Sequence, residues 1–236
     1  MPVTVYQSLR TVAALRRGRT NDVLESKKVK PVPEEHIPPV LKELPPQVAA
    51  MVQVQRLAGM RPAEVTIIRP CDIDRTGEIW SYRPFTHKTE HHEIEKVILL
   101  GPKAQEVLRP WLNRDAMSFL FSPKEVREAS LASRRKEESG RRRNTRRLRK
   151  RRPTRLPRDH YDYESYGQAV ERACKKRAKV PRWTPGRLRH NAGTQVRSKF
   201  GAEAAQLVLG HQNLSTTEIY AEKDMARYRD IIKEIG

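Results

Sequence analysis

An arginine-rich run over residues 134–158 is the feature that most limits how this chain can fold. Its 25 residues contain 14 Lys or Arg and only two Asp or Glu, so it carries +12 of the net charge of +20 on the 236-residue chain. A segment so densely charged and so poor in apolar side chains cannot be buried in a protein core. The fold must therefore be built by the flanking segments. Residues 125–158 are predicted to be a basic insert that is mobile or ordered by DNA, with at most fragments of helix.

The composition outside this insert is that of a mildly basic globular protein, since the other 211 residues carry only +8. The overall excess predicts an anionic partner, with nucleic acid as the first hypothesis. Two cysteines in a chain of this length form no disulfide framework. We find no apolar run near the roughly 20 residues of a membrane span, and no apolar signal-peptide core at the N-terminus. We therefore expect a cytoplasmic, nucleoid-associated protein with no membrane partner.

Proline and glycine residues divide the flanking segments into predicted helices. Two β-rich runs, 77–84 and 96–101, are separated by a polar turn and predict an antiparallel hairpin whose Trp80 and Tyr82 belong to the core. The expected fold class is α+β, mainly α, with a small antiparallel hairpin or sheet. After a short helical pattern in the first 30 residues, the predicted helices cover residues 41–57, 62–68, 102–112, 162–178, 185–200, 202–209 and 222–235.

The sequence lacks the usual motifs of metal and nucleotide chemistry. It has no phosphate-binding glycine loop, no CxxC pair, no HExxH and no GxSxG. His87, His91 and His92 lie close together in the hairpin turn, but no cysteine or spaced carboxylate completes a ligand set. Arginine forks that bind phosphate and a tyrosine hydroxyl that attacks it are a chemistry that needs no metal. Composition alone does not select which arginine or tyrosine would act.

A resemblance selects them. The segment TPGRLRHNAGTQVRSKFGAEAAQLVLGHQNLSTTEIYAE (184–222) resembles the C-terminal boxes of the tyrosine recombinase, or phage-type integrase, family, which are TPHxLRHT, LGH and a following Tyr. LRH lies at 188–190, LGH at 209–211, and Tyr220 comes nine residues after His211. Upstream, RLAGMRPAEV (56–65) resembles the first box of the family, LxxxGxRxxE. The resemblance covers about 34–236 apart from the insert.

The resemblance implies a role for each matched residue. Arg61 and Arg189 would clamp the scissile phosphate. Tyr220 would attack it, leaving a 3′-phosphotyrosyl link and a free 5′-hydroxyl. Lys88, in the hairpin turn where the family carries its lysine, would protonate the leaving oxygen, although Lys96 lies in the same hairpin. His211 would hydrogen-bond the phosphate or the tyrosine.

Two further residues, Glu64 and His190, would lie behind these catalytic residues. Glu64 would orient the pocket that they form. The resemblance also implies a double-stranded DNA substrate, a homotetramer on DNA, and a final helix that docks on a neighbouring copy. No metal and no cofactor is expected, because the phosphotyrosyl link conserves the energy of the broken bond. The basic insert would add salt-sensitive, sequence-independent affinity for DNA. Its predicted DNA-binding residues are Arg141, Arg142, Arg143, Arg146, Arg147, Arg149, Lys150, Arg151 and Arg152.

The sequence departs from the family pattern in two places. Gly186 stands where TPHxLRH has its first His, which removes a phosphate contact and predicts slowed cleavage. Residues 1–33 are too short for the core-binding domain that precedes the catalytic domain in the family, so we expect 34–236 to be a catalytic domain behind a remnant and linker. Two alternatives therefore stay open. One is a catalytically impaired DNA-binding remnant of a recombinase, and the other is an Arg-rich RNA-binding protein.

Overall fold

The computed structural model describes residues 3–12, 29–86, 96–139, 157–210 and 228–235. Contacts between residues divide the chain into two compact units, Met1–Lys30 and Pro31–Gly236. The described helix of the first unit is α1 (Val3–Thr11), and Val5 and Leu9 on it are exposed. Within the described ranges no helix is long and apolar enough to cross a membrane.

The second unit is mainly helical with a small antiparallel sheet, which confirms the predicted fold class. The sheet has the order β1-β2-β3, with β1 at Ile73–Asp74, β2 at Trp80–Tyr82 and β3 at Ile98–Leu100. The helices are α2 (Ile37–Glu43), α3 (Pro46–Ala58), α4 (Pro62–Thr66), α5 (Pro102–Leu108), α6 (Pro123–Ser139), α7 (Tyr163–Ala173), α8 (Gly186–Leu209) and α9 (228–235).

Glycines with positive φ end or break the helices where the sequence predicts. Gly59 follows α3 with φ +65°, and Gly210 follows α8 with φ +59°. Gly201 interrupts α8 with φ +89°, so its last residues run in a new direction. Such backbone angles cost a side-chain-bearing residue energy that glycine avoids. Pro185, predicted as the first helical residue of α8, directly precedes Gly186 and already has helical backbone angles, with φ −54° and ψ −31°.

The predicted hairpin is confirmed in its strands. Strand β2 pairs with β3 in the register Trp80↔Leu100, and both Trp80 and Tyr82 are buried, as expected of core residues. The turn residues 87–95 lie outside the described residues. Strand β1 was not predicted. It pairs Ile73 with Tyr82, and two residues are too few to show the period of a strand.

Helix α6 corrects the prediction for the insert. Residues 125–139, expected to be mobile with at most fragments of helix, continue as part of one helix from Pro123 to Ser139. The segment is rich in Ala, Glu, Arg and Lys, which favour helix without needing burial. Glu125 anchors its first turn by accepting hydrogen bonds from Gln47 at 2.6 Å and from Arg114 at 3.1 Å. Residues 140–156 of the insert, with all nine predicted DNA-binding residues, lie outside the described residues.

Two buried clusters hold this unit together. The larger surrounds α3 and contains Met51, Leu100 and Tyr166. In the smaller, Ile232 of α9 packs with Leu99 and with apolar residues of α8. The last helix, which the resemblance predicts to dock on a neighbouring copy, therefore packs here against its own chain.

Helix α8 approaches its own end so closely that Gly193 has no room for a side chain. A Cβ at this position would lie 2.8 Å from Leu209 Cδ1, whereas one at Gly167 in α7 would meet nothing within 4 Å. We expect Gly167→Ala to raise Tm by roughly 2 °C, because alanine favours helix more than glycine. Gly193→Ala gains the same preference but displaces Leu209, so its Tm should lie below that of Gly167→Ala. Thermal unfolding measured by circular dichroism compares the two, and equal Tm values would contradict the close contact.

Candidate active site

The turn between α3 and α4 places Arg61 beside Glu64. Pro62 starts α4, and Arg61 precedes it in extended conformation. The Glu64 carboxylate accepts a hydrogen bond from the Arg61 backbone N–H at 2.7 Å and another from Arg61 Nη1 at 3.1 Å. The first bond satisfies a free backbone donor at the helix start. A short helix with a buried glutamate on its first turn therefore orients the arginine.

The sheet contributes a second cation to this carboxylate. Lys96 lies two residues before β3, and its Nζ donates to Glu64 Oε1. Its side chain is 14% exposed and that of Glu64 is 3% exposed. Tyr82 of β2 donates its hydroxyl hydrogen to the Glu64 backbone carbonyl at 2.8 Å. The small sheet and α4 are thus joined at one residue.

Arg189, in the first turn of α8, ties two helix ends together. Its Nη1 donates to the Gly59 carbonyl at 2.8 Å, and its Nη2 donates to the Leu209 carbonyl. Gly59 follows α3 and Leu209 is the last residue of α8. The carbonyls at helix C-termini lack partners within the helix, and a guanidinium satisfies both at once. Arg189 therefore ties the C-terminal end of α3 to the C-terminal end of α8.

Two cations of this site, Arg61 and Lys96, contact the Glu64 carboxylate, and a third, Arg189, interacts with it electrostatically. Burial alone would raise the pKa of Glu64, but attraction to Lys96 and the hydrogen bonds from Lys96 and Arg61 bring this pKa below its usual value. Burial lowers the pKa of Lys96, with Glu64 opposing this shift and Arg61 and Arg189 adding to it. Burial also lowers the pKa of Arg189 to about 10, and repulsion from Arg61 adds to the effect. At neutral pH the four groups sum to a positive charge, which favours an anion.

Four predicted site residues remain, of which the structure describes one, His190. His190 is exposed, and among the described residues its side chain makes no hydrogen bond or ion pair. Lys88, His211 and Tyr220 lie outside the described residues. The structure therefore brings together Arg61, Glu64 and Arg189, and it adds Lys96, which the sequence suggested only as an alternative to Lys88.

The two-residue period of a strand explains the position of Lys96, although the apolar run from Val97 to Leu100 shows no alternation in the sequence. Side chains two residues apart in a strand share a face. Ile98 and Leu100 of β3 belong to the larger cluster, whereas Leu99 belongs to the smaller. Continued back to residue 96, the alternation places the lysine on the face of the larger cluster, where a charge requires a buried partner.

A second residue that the sequence did not reveal is Asn191. Its side-chain oxygen accepts the Val32 N–H at 2.7 Å and its amide donates to the Val32 carbonyl at 2.6 Å. This pairing fastens the segment before α2 to the helix that carries Arg189. No local pattern predicts it, because the partners are 159 residues apart. As for metals, the part of the chain with described structure contains no group of three or more His, Cys, Asp or Glu side chains that could hold an ion.

Known proteins resemble this chain in sequence and in fold. The tyrosine recombinase XerC of Proteus mirabilis is 31% identical over 176 residues, which make up 74% of this chain and 47% of that protein. The chain thus spans about half the length of the curated relative that it matches. A crystal structure of the XerH site-specific recombinase bound to palindromic difH substrate, a post-cleavage complex, superposes with a TM-score of 0.50 at 16% identity. The match covers 86% of this chain and 52% of that one, and it shows a shared fold.

A family model, described as the phage integrase family, matches residues 34–227. This range includes the turn that carries Arg61 and Glu64, all of α8 and the segment that contains His211 and Tyr220. The matched residues make up most of the chain and include every residue of the predicted site. The chain therefore belongs to the phage integrase family, whose members are the tyrosine recombinases.

Proposed function

We propose that this chain acts as the catalytic domain, over residues 34–236, of a site-specific DNA recombinase that cleaves and rejoins double-stranded DNA. The observation that carries the proposal is the positive site formed by Arg61, Lys96 and Arg189 around Glu64. Arginine guanidinium groups pair with the oxygens of a phosphodiester and stabilise the extra charge of its transition state. The described part of the site has the charge and the donors that such a substrate needs.

In the proposed reaction the Tyr220 oxygen forms a bond to phosphorus and the bond from phosphorus to the 5′ oxygen breaks. The tyrosine hydroxyl loses its proton, and Lys88 supplies a proton to the leaving 5′ oxygen. The product is a 3′-phosphotyrosyl link and a free 5′-hydroxyl, and attack by a 5′-hydroxyl reverses the step. Arg61 and Arg189 would hold the phosphate, with His211 hydrogen-bonded to it or to Tyr220.

The proposed partners are double-stranded DNA and three further copies of the chain. The XerH recombinase is bound to palindromic difH substrate, and this chain is similar in sequence to a tyrosine recombinase, and both findings support the proposed DNA substrate. The proposed location of the reaction is the cytoplasm. The eight arginines predicted to bind DNA at positions 141–152, together with Lys150, would bind the DNA backbone without reading its sequence. Residues 1–33 would be a remnant of a core-binding domain and its linker.

A covalent mapping experiment tests the proposed function. The protein is incubated with a pool of nicked DNA duplexes that have a randomised core, so that cleavage next to the nick releases a short fragment and traps the adduct. We expect an adduct that survives denaturation in SDS, and mass spectrometry of its peptides should locate the nucleotide phosphate on Tyr220. Binding of the pool with no adduct would favour the DNA-binding remnant, whereas selective binding of single-stranded RNA would favour the RNA-binding alternative.

Gly186 allows a further test of catalytic competence. A Cβ at this position would lie 4.0 Å from the Tyr163 hydroxyl, an ordinary contact, so a histidine side chain has room to begin there. Position 186 is three residues before Arg189, on the same side of α8. We expect Gly186→His to speed adduct formation by about 10-fold, because the imidazole can bind the phosphate or move a proton. Gly186→Ala is the control that adds bulk without the imidazole, and an unchanged rate in Gly186→His would contradict this prediction.

A further inference from the structure

Lys96 is the one cation of the site to which the predicted mechanism gives no role. Its Nζ is bound to Glu64 Oε1, and its side chain is largely buried between β3 and α4. Lysine is rarely buried without a partner, because an ammonium group loses its hydration there. The ion pair with Glu64 must therefore offset the cost of removing the Lys96 ammonium from water.

Glu64 needs this cation as much as Lys96 needs the carboxylate. The Glu64 side chain is 3% exposed, and its other partners are the backbone N–H and the guanidinium of Arg61. A buried carboxylate without sufficient counter-charge is strongly destabilising. If Lys96 were absent, the Arg61 guanidinium would be the nearest remaining cation in contact with Glu64. The carboxylate would then hold that guanidinium against itself.

Arg61 is the point at which this competition matters. Its side chain is 27% exposed, whereas Glu64 is buried, so the guanidinium lies at the outer side of the pair, where an anion can approach. Its bond to Glu64 is single, through Nη1 at 3.1 Å, which leaves other N–H donors of the fork for a phosphate. A shorter or bidentate bond to Glu64 would occupy those donors.

We propose that Lys96 is a positioning residue for DNA cleavage, because it neutralises the buried Glu64 carboxylate and so leaves the Arg61 guanidinium free to bind the scissile phosphate. This inference rests on the proposed function. It differs from proton donation to the leaving oxygen, which the mechanism assigns to Lys88. Lys96 acts on the substrate only through Glu64 and Arg61.

A double-mutant cycle on adduct formation tests this coupling with the nicked duplex recovered from the randomised pool. We expect Lys96→Met to slow the reaction by on the order of 10²-fold, because Glu64 then captures Arg61. Glu64→Gln removes the buried charge that Lys96 neutralises, so Lys96→Met/Glu64→Gln should react faster than Lys96→Met alone. If the double variant were slowed by the product of the two single effects, Lys96 would act independently of Glu64 and the proposal would be wrong.

A modified leaving group separates positioning from proton donation. In a duplex with a 5′-bridging phosphorothiolate, the leaving sulfur needs no proton. Lys96→Met should stay slow on this substrate, whereas Lys88→Met should regain most of its lost rate. Recovery of Lys96→Met would make Lys96 the proton donor and overturn the proposal. Lys42→Met, which removes an exposed lysine of α2, controls for the loss of one positive charge.

Thermal unfolding without DNA provides a readout that does not depend on the reaction. It is measured for wild type, Lys96→Met, Glu64→Gln and the double variant. Lys96→Met should lower Tm by roughly 5 °C or more, and adding Glu64→Gln should restore most of this loss. Additive Tm changes would overturn the coupling. If wild-type protein formed no adduct, the proposed function would fail and the positioning role with it. If wild-type protein formed the adduct but the effects of Lys96→Met and Glu64→Gln were additive, only the positioning role of Lys96 would be refuted.

Discussion

Replacing Tyr220 by phenylalanine is expected to abolish the covalent protein–DNA adduct, with a fall in rate of at least about 10³-fold. Phenylalanine keeps the ring but lacks the oxygen that would form the bond to phosphorus. Noncovalent binding of the same duplex should remain within about twofold, because the charged groups that contact phosphate are unchanged. Gel electrophoresis in SDS measures the adduct, and a native gel shift measures binding.

Tyrosines in the described part of the chain give this prediction its control. Tyr82, Tyr166 and Tyr228 are buried, and burial raises the pKa of Tyr228 to about 12, so these hydroxyls are poorly placed to attack DNA. Tyr163 is different, since it is 55% exposed and its hydroxyl lies near Gly186. Tyr163→Phe should still form the adduct. An adduct that persists in Tyr220→Phe and disappears in Tyr163→Phe would move the nucleophile to α7.

Replacing Arg189 by lysine is expected to slow adduct formation by on the order of 10²-fold or more, although the charge is kept. One Nη donates to the Gly59 carbonyl and the other to the Leu209 carbonyl, and the planar fork still has donors left for a phosphate. The single ammonium group of lysine cannot donate to both carbonyls, and it cannot bind a phosphate through two parallel hydrogen bonds as a guanidinium does. In Arg189→Lys the end of α8 loses this anchor at the Leu209 carbonyl, and the proposed phosphate contact loses its fork of donors. Single-turnover cleavage of the nicked duplex measures the effect.

Arg187 provides the matched control on the same helix. It lies two residues before Arg189, and its Nη2 donates to the Pro31 carbonyl at 2.7 Å, away from the Gly59 and Leu209 carbonyls. Arg187→Lys is a change of the same size and charge, and the rate should fall by no more than about threefold. Equal losses in the two variants would contradict a special role for Arg189. A lower Tm in Arg189→Lys with an unchanged cleavage rate would mean that Arg189 stabilises the fold and has no part in catalysis.

Local chemistry explains why much of the fold was predictable. The helix ends at Gly59 and Gly210 and the break at Gly201 follow from backbone angles that glycine adopts at little cost, and such residues are visible in a sequence. The strands that include Trp80 and Ile98 follow from β-rich runs on either side of a polar turn. These signals depend on neighbours in the chain, so no knowledge of the tertiary structure is required.

Two elements escaped prediction for opposite reasons. Strand β1, Ile73–Asp74, has no pattern of its own and exists because Tyr82 and Ser81 pair with it. Helix α6 is dense in charged residues, which indicates an exposed segment, and only the helix preference of its Ala, Glu, Arg and Lys residues predicts it. The contact of Glu125 with Gln47 supports its start, and those residues are 78 positions apart.

The sequence by itself determined which residues are candidates for the chemistry, because its resemblance to the family boxes selects Arg61, Glu64, Arg189, His211 and Tyr220 without reference to coordinates. Only the tertiary structure decided how the first three are arranged. It placed Lys96 on Glu64 and bound Arg189 to the ends of α3 and α8. Motifs record short-range spacing, whereas the charge balance of a buried site depends on groups that different elements bring together, here across 32 and 130 residues of chain. The +12 insert that dominates the composition contributes none of the residues of that described site.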